Sequence, residues 1–183
     1  MKSQLTIDLE KEIWRATNKK GVFGCFEVTI GWTSKNKGRV DYLTMDTKGI
    51  WRCYEVKSSK PDFYSKSKHT FVGNYNYYVM PKELYKQVKN DIPKYVGVYA
   101  GGGFIKNPQK QKLKVDEQIL KNSMIRSLSR DVDKMIKSDN PLIINSLNKQ
   151  ISKNKKDAEN YKRKYNELMH IGIEKYGARW YKD

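Results

Sequence analysis

Gly38-Arg39-Val40-Asp41-Tyr42-Leu43-Thr44-Met45-Asp46-Thr47-Lys48-Gly49-Ile50-Trp51-Arg52-Cys53-Tyr54-Glu55-Val56-Lys57 is the stretch on which the fold turns. Two runs rich in β-branched and aromatic residues flank Asp46-Thr47-Lys48-Gly49, a group with the composition of a tight turn. Residues 39–46 and 50–57 are therefore expected to form a β-hairpin. Alternate residues of a strand share a face, so Glu55 and Lys57 point the same way as Trp51 and Cys53. Asp41, early in the partner strand, can bring its carboxylate toward Glu55.

Working toward the N-terminus, residues 22–32 read as a further strand, and Thr33 to Gly38 as a polar loop. Residues 5–19 read as a helix, with Leu5, Leu9, Glu12, Ile13 and Ala16 on one face and Gly21 as the stop. Glu12 is the odd member, an acid inside an apolar stripe. Toward the C-terminus, residues 58–72 are polar, with Pro61 near the start, and suit a short helix. Residues 74–80 suit a strand, Pro81-Lys82-Glu83-Leu84 the first turn of a helix, and residues 95–100 a strand. Gly101-Gly102-Gly103 then closes that strand as a flexible turn. No Gly-Lys-Ser/Thr follows it, so it is no phosphate loop. The order predicts an α/β fold with a mixed sheet flanked by helices.

From about residue 116 the pattern is helical to the end. This divides the chain into a core, 1–115, and a helical C-terminal extension, 116–183. Leu147, Ile151, Asn154, Ala158, Tyr161, Tyr165 and Leu168 alternate four and three apart, as in a polar, imperfect heptad seam. A helical hairpin packed on the core is the expected arrangement, and a homodimer through these helices is the other.

The 183 residues are 38% hydrophobic and 31% charged, enough for a core beneath a heavily solvated surface. Lys and Arg number 37 against 20 acids, a formal charge of +17 that runs through both halves of the chain. Such an excess seeks polyanions, and nucleic acid is the first candidate, with a lysine-rich compositional bias as the plainer explanation. Cys25 and Cys53 are too few for a disulfide framework or a four-ligand zinc site and suit buried thiols in a reducing compartment. No apolar run approaches a membrane span or a signal core, so a soluble, cytoplasmic protein with no membrane partner is expected.

Two carboxylates, Asp41 and Glu55, with the Val56 carbonyl make a hard oxygen site suited to Mg²⁺, with Mn²⁺ able to stand in. Such an ion acidifies water and neutralises phosphate charge, and the Lys57 ammonium beside it can orient that water or stabilise the phosphate. Acid-X-Lys triplets arise by chance, as Asp46-Thr47-Lys48 shows. That one lies in a turn, whereas Glu55-Val56-Lys57 ends a strand whose face carries Trp51 and Cys53. A surface salt bridge is the competing reading of Glu55 and Lys57. The company of Trp and Cys favours burial, and buried carboxylates need partners or metal.

The run Gly38-Arg39-Val40-Asp41, the glycine turn, and Glu55-Val56-Lys57-Ser58-Ser59-Lys60-Pro61-Asp62-Phe63 resembles the PD-(D/E)XK nuclease superfamily. It is most similar to the MmcB-like branch associated with DNA repair. Tyr77-Tyr78-Val79-Met80-Pro81 and the segment from Ile92-Pro93 to Val96-Gly97-Val98-Tyr99 fit the later strands of that branch. The resemblance covers roughly residues 5–105. It implies a restriction-endonuclease-like α-β-β-β-α-β core and metal-dependent hydrolysis of DNA phosphodiester bonds in repair, recombination or phage DNA processing. By position, Asp41 and Glu55 would be metal ligands and Lys57 the water-orienting or electrostatic group. Glu12 would be the first-helix acid, with Glu10 and Glu27 as rivals. Val40 stands where the superfamily has proline.

Around this centre, Lys60, Lys66, Lys68 and His69 could hold phosphates or simply form a solvated face. Tyr75, Tyr77 and Tyr78 could stack on bases, but their strand spacing favours core positions. Arg126 and Arg130 are further candidates for a DNA surface, against a solvated helix face. The alternative to an enzyme is a module that keeps the nuclease fold and only binds DNA or protein.

Overall fold

A computed structural model describes residues 2–31, 38–65, 70–139 and 141–177. The chain opens with α1 (Gln4–Thr17), capped by the Ser3 hydroxyl, which accepts the Thr6 N–H. There follow β1 (Val22–Ile30), β2 (Gly38–Asp46), β3 (Trp51–Val56), α2 (Lys60–Phe63), β4 (Tyr75–Val79), α3 (Lys82–Val88) and β5 (Val96–Ala100). The expected α-β-β-β-α-β order is thus present. After β5 come β6 (Gly103–Lys106), α4 (Glu117–Ser138) and α5 (Pro141–Tyr176).

The six strands form one mixed sheet in chain order. β1, β2 and β3 pair antiparallel, as the hairpin signal required. β3, β4 and β5 pair parallel, which α2 and α3 make possible by carrying the chain back. β3 is nearly buried throughout, as a central strand covered on both faces must be.

The glycine run does not simply close β5. Gly101 and Gly102 adopt φ of 61° and 82°, the positive values a tight hairpin needs at its centre, and the chain returns antiparallel as β6.

Two cores lie on opposite faces of the sheet. One joins Leu43, Trp51, Cys53 and Tyr78 to Phe63 of α2, Leu84 and Val88 of α3, and Leu120 and Met124 of α4. The other joins Tyr42, Tyr54, Val56 and Val79 to Leu9 and Ile13 of α1.

The chain forms two compact units, Met1–Asp131 and Val132–Asp183. The unit boundary falls inside α4, not at residues 115/116, because the first turns of that helix bury Leu120 and Met124 in the sheet's core. In the second unit α5 is one continuous helix. Its seam residues Leu147, Ile151, Tyr161, Tyr165 and Leu168 are all exposed. No helix of the described residues is long and apolar enough to cross a membrane.

Candidate functional site

The site forms where the β2–β3 hairpin comes apart. The two strands pair from Met45–Trp51 to Tyr42–Tyr54, and the pairing ends there. One residue further on, the Asp41 side chain replaces the ladder, its Oδ2 accepting the Val56 N–H at 2.9 Å. On its other side β3 continues, the Lys57 N–H donating to the Val79 carbonyl at 2.9 Å. The end of β3 is therefore fixed on both sides while a gap opens beside Glu55.

β1 contributes a second irregularity. Phe26–Tyr42 and Val28–Val40 are paired, but Glu27–Asp41 between them is not. Glu27 has φ of 54°, a left-handed conformation uncommon for a residue with a side chain. Cys25 and Val28, three apart, consequently face the same core, and so do Val40 and Leu43. Both strands thus shift phase at this rung, and Glu27 and Asp41 both line a cleft of about 590 Å³ with Glu55, Val56 and Lys57.

The electrostatics are those of carboxylates withdrawn from water. Glu55 is only 7% exposed and Lys57 3%. Burial, then the neighbouring Asp41 carboxylate, pushes the Glu55 carboxyl up to about 7. Burial also raises Asp41, with Glu27 adding to it and the Val56 N–H opposing it. Lys57 Nζ lies 3.5 Å from Glu55 Oε1 and 3.6 Å from Asp62 Oδ1. It therefore stands between the β3 acid and the α2 acid. At the mouth, Lys2 pairs with both Glu10 and Glu27, and Arg39 Nε lies 2.9 Å from Glu27.

Asp41, Glu55, Val56 and Lys57 are therefore brought together. Glu12 is not among the residues that line the cleft. It sits near enough to Tyr99 to raise that phenol, after burial, by its charge. Glu10 of the same helix and Glu27 of β1 line the cleft in its place. Lys60 is exposed at the start of α2, beside Ser58 and Asp62, which do line it. Lys66, Lys68 and His69 lie outside the described residues. Arg126 is spent on the Thr29 carbonyl, 2.6 Å away, and Arg130 lies 3.3 Å from Asp131. Tyr78 is a core residue, Tyr77 packs partly buried on the α1 side, and Arg52 lies over the Tyr75 ring.

Asp62 is the residue whose place at the site sequence reasoning left unassigned. Its Oδ2 accepts the Ser58 N–H at 2.9 Å, while the Ser59 hydroxyl caps α2 by accepting the Asp62 N–H. The signal was Ser59-Lys60-Pro61-Asp62: a capping serine with an acid three residues on, which folds that acid back toward the residues before the helix.

Among the described residues no three His, Cys, Asp or Glu side chains converge as a ligand cluster. The donor set still fits a hard divalent ion. Such ions are held by one or two carboxylates with carbonyl and water oxygens. Asp41 and Glu55, both raised chiefly by burial, supply the two.

No protein-family model matches the chain, and no curated protein does. Its fold is similar to the solved structure described as SPO1766, a protein of unknown function from Silicibacter pomeroyi, with a TM-score of 0.59. At 18% identity, the match covers 74% of this chain and 93% of the other.

Proposed function

We propose that the cleft is the active site of a metal-dependent deoxyribonuclease. One observation carries the reading. Asp41 and Glu55, from two strands that part at this point, share a cleft with a buried Lys57 and are both shifted toward protonation. Groups that served only structure would be expected in a closed arrangement. These open onto a cleft instead.

Asp41 and Glu55, with the Val56 carbonyl, would hold Mg²⁺ or Mn²⁺, which supplies acidified water and charge neutralisation at the phosphate. The chain's own residues do the rest. The Val56 N–H fixes the Asp41 carboxylate, leaving Oδ1 directed by that bond. Lys57, held between Glu55 and Asp62, keeps an ammonium at the cleft wall, where it can orient water or face the phosphate. Arg39 and Lys2 lie at the mouth paired with Glu27 and Glu10, and the net charge of +17 favours the approach of a polyanion. The resemblance of Glu55-Val56-Lys57 and its surroundings to PD-(D/E)XK nucleases supports the same chemistry and makes DNA the preferred substrate.

The test is cleavage of labelled duplex, single-stranded, flap and four-way DNAs with Mg²⁺, Mn²⁺ or EDTA, comparing wild type with Glu55→Ala and Lys57→Ala. Metal-dependent cutting lost in both variants is expected. No cutting of any DNA, with binding unchanged by either variant, would leave a module that binds without catalysis.

A further inference from the structure

The second unit poses a physical problem of its own. α5 has 36 residues, about 54 Å at 1.5 Å per residue. Helices are stabilised chiefly by packing an apolar face, and here the apolar face is bare. Ile144, Leu147, Ile151, Tyr161, Tyr165 and Leu168 are 40–72% exposed. They are not scattered. With Asn154 and Ala158 they step three and four residues at a time without a break from Ile144 to Leu168. That 3.5-residue repeat is the spacing that keeps one stripe facing a second helix along a left-handed supercoil.

We propose that α5 pairs with α5 of a second copy of this chain as a parallel two-stranded coiled coil. The repeat assigns Ile144, Ile151, Ala158 and Tyr165 to a positions and Leu147, Asn154, Tyr161 and Leu168 to d positions. The flanking charges then choose the orientation. The charged e positions are Lys155 and Lys162, and the charged g positions are Asp157 and Lys164. In an antiparallel pair e faces e, setting lysine against lysine. In a parallel pair g faces the following e, so Asp157 meets Lys162 of the second copy, and no like charges meet. Asn154 would form a polar layer at a d position of the seam. This arrangement does not depend on the deoxyribonuclease reading, and either can fail alone.

The test is sedimentation equilibrium of the full chain over a wide concentration range, with three variants. Wild type is expected to show a mass twice the 21.5 kDa of one chain. Leu147→Asp, on an exposed seam position, should weaken the dimer at least tenfold, whereas Lys156→Asp on the opposite face should not. Ile151→Cys should form an interchain disulfide under mild oxidation, because like a positions meet only in a parallel pair; Cys25 and Cys53 are buried and should contribute little. A monomer at every concentration, or a dimer indifferent to Leu147→Asp, would overturn the proposal. A dimer that Ile151→Cys fails to cross-link would overturn the parallel arrangement.

Discussion

The Asp41 carboxylate stands in for a missing rung of the sheet, its Oδ2 accepting the Val56 N–H at 2.9 Å just beyond the last β2–β3 pair. One oxygen thus serves the fold, and the charge is left for the site. Asp41→Asn keeps an acceptor for that N–H, so its stability should stay within about 1 kcal/mol of wild type. Asp41→Ala leaves the N–H unsatisfied and should cost about 1–3 kcal/mol. Both should abolish metal-dependent cleavage. Urea unfolding beside a cleavage assay separates the two effects. An active Asp41→Asn would remove Asp41 from the ligand set.

Lys57 and Glu55 form a buried pair, and removing Lys57 takes a cation from beside a buried carboxylate. Lys57→Met should destabilise by about 3–5 kcal/mol. The double variant Glu55→Gln/Lys57→Met should recover much of that loss, because both charges of the pair are then removed together. Cleavage should be absent in both. A double-mutant cycle by denaturant unfolding checks the coupling, and strictly additive losses would argue against a direct pair.

Stability should also depend on pH in a stated direction. The Glu55 carboxyl titrates at about 7 in the fold against 4.5 in an ordinary chain. The folded protein therefore holds a proton that the unfolded chain releases. The resulting stabilisation is present below pH 4.5 and is lost as pH rises through 7, by about 3 kcal/mol in the metal-free protein. Glu55→Gln should flatten that decline, and Mg²⁺ should stabilise wild type more at pH 8 than at pH 5. Unfolding curves at several pH values, with and without Mg²⁺, test this. An unchanged slope in Glu55→Gln would assign the titration elsewhere.

Gly97 of β5 offers a check on the sheet away from the site. A Cβ there would stand 2.6 Å from the Tyr77 ring and 2.9 Å from the Lys106 carbonyl. The ring could turn aside, but the β6 backbone cannot without breaking its pairing. Gly97→Ala should cost about 1–3 kcal/mol. Wild-type stability would show that β6 does not lie where the pairing sets it.

Truncation tests where the first unit ends. A chain ending at Ser138, after α4, should remain cooperatively folded, because Leu120 and Met124 still complete the core. A chain ending at residue 115 loses both and should be destabilised by several kcal/mol. Thermal unfolding of the two distinguishes them. Equal stability would mean that α4 contributes nothing to the core.

Much of this architecture was legible because it rests on periodicity. The hairpin, the shared face of Glu55 and Lys57 and the first helix all follow from side-chain alternation and turn chemistry. What was missed has physical reasons. Glu10 and Glu12 flank the same Leu9–Ile13 stripe, and spacing alone does not tell which flank meets the cleft. The Glu27 rung was hidden because one left-handed residue reverses the alternation after it. The three-residue intervals from Cys25 to Val28 and from Val40 to Leu43 were its traces. β6 was overlooked because a glycine run reads as an ending when it is a reversal. The residue 115/116 boundary followed a change of secondary structure, whereas a core follows burial.

The phase shift at Glu27 and Asp41 gives the cleft two parents. The cleft is lined by Thr6 and Glu10 from the helix on one side of the sheet, and by Ser58 before α2 and Asp62 within it on the other. Neither layer alone supplies all the walls of the cleft. A nascent or partly melted chain with only one layer docked would carry the same acids but no assembled cleft. Assembly of the cleft is thus tied to completion of the fold on both sides of the sheet.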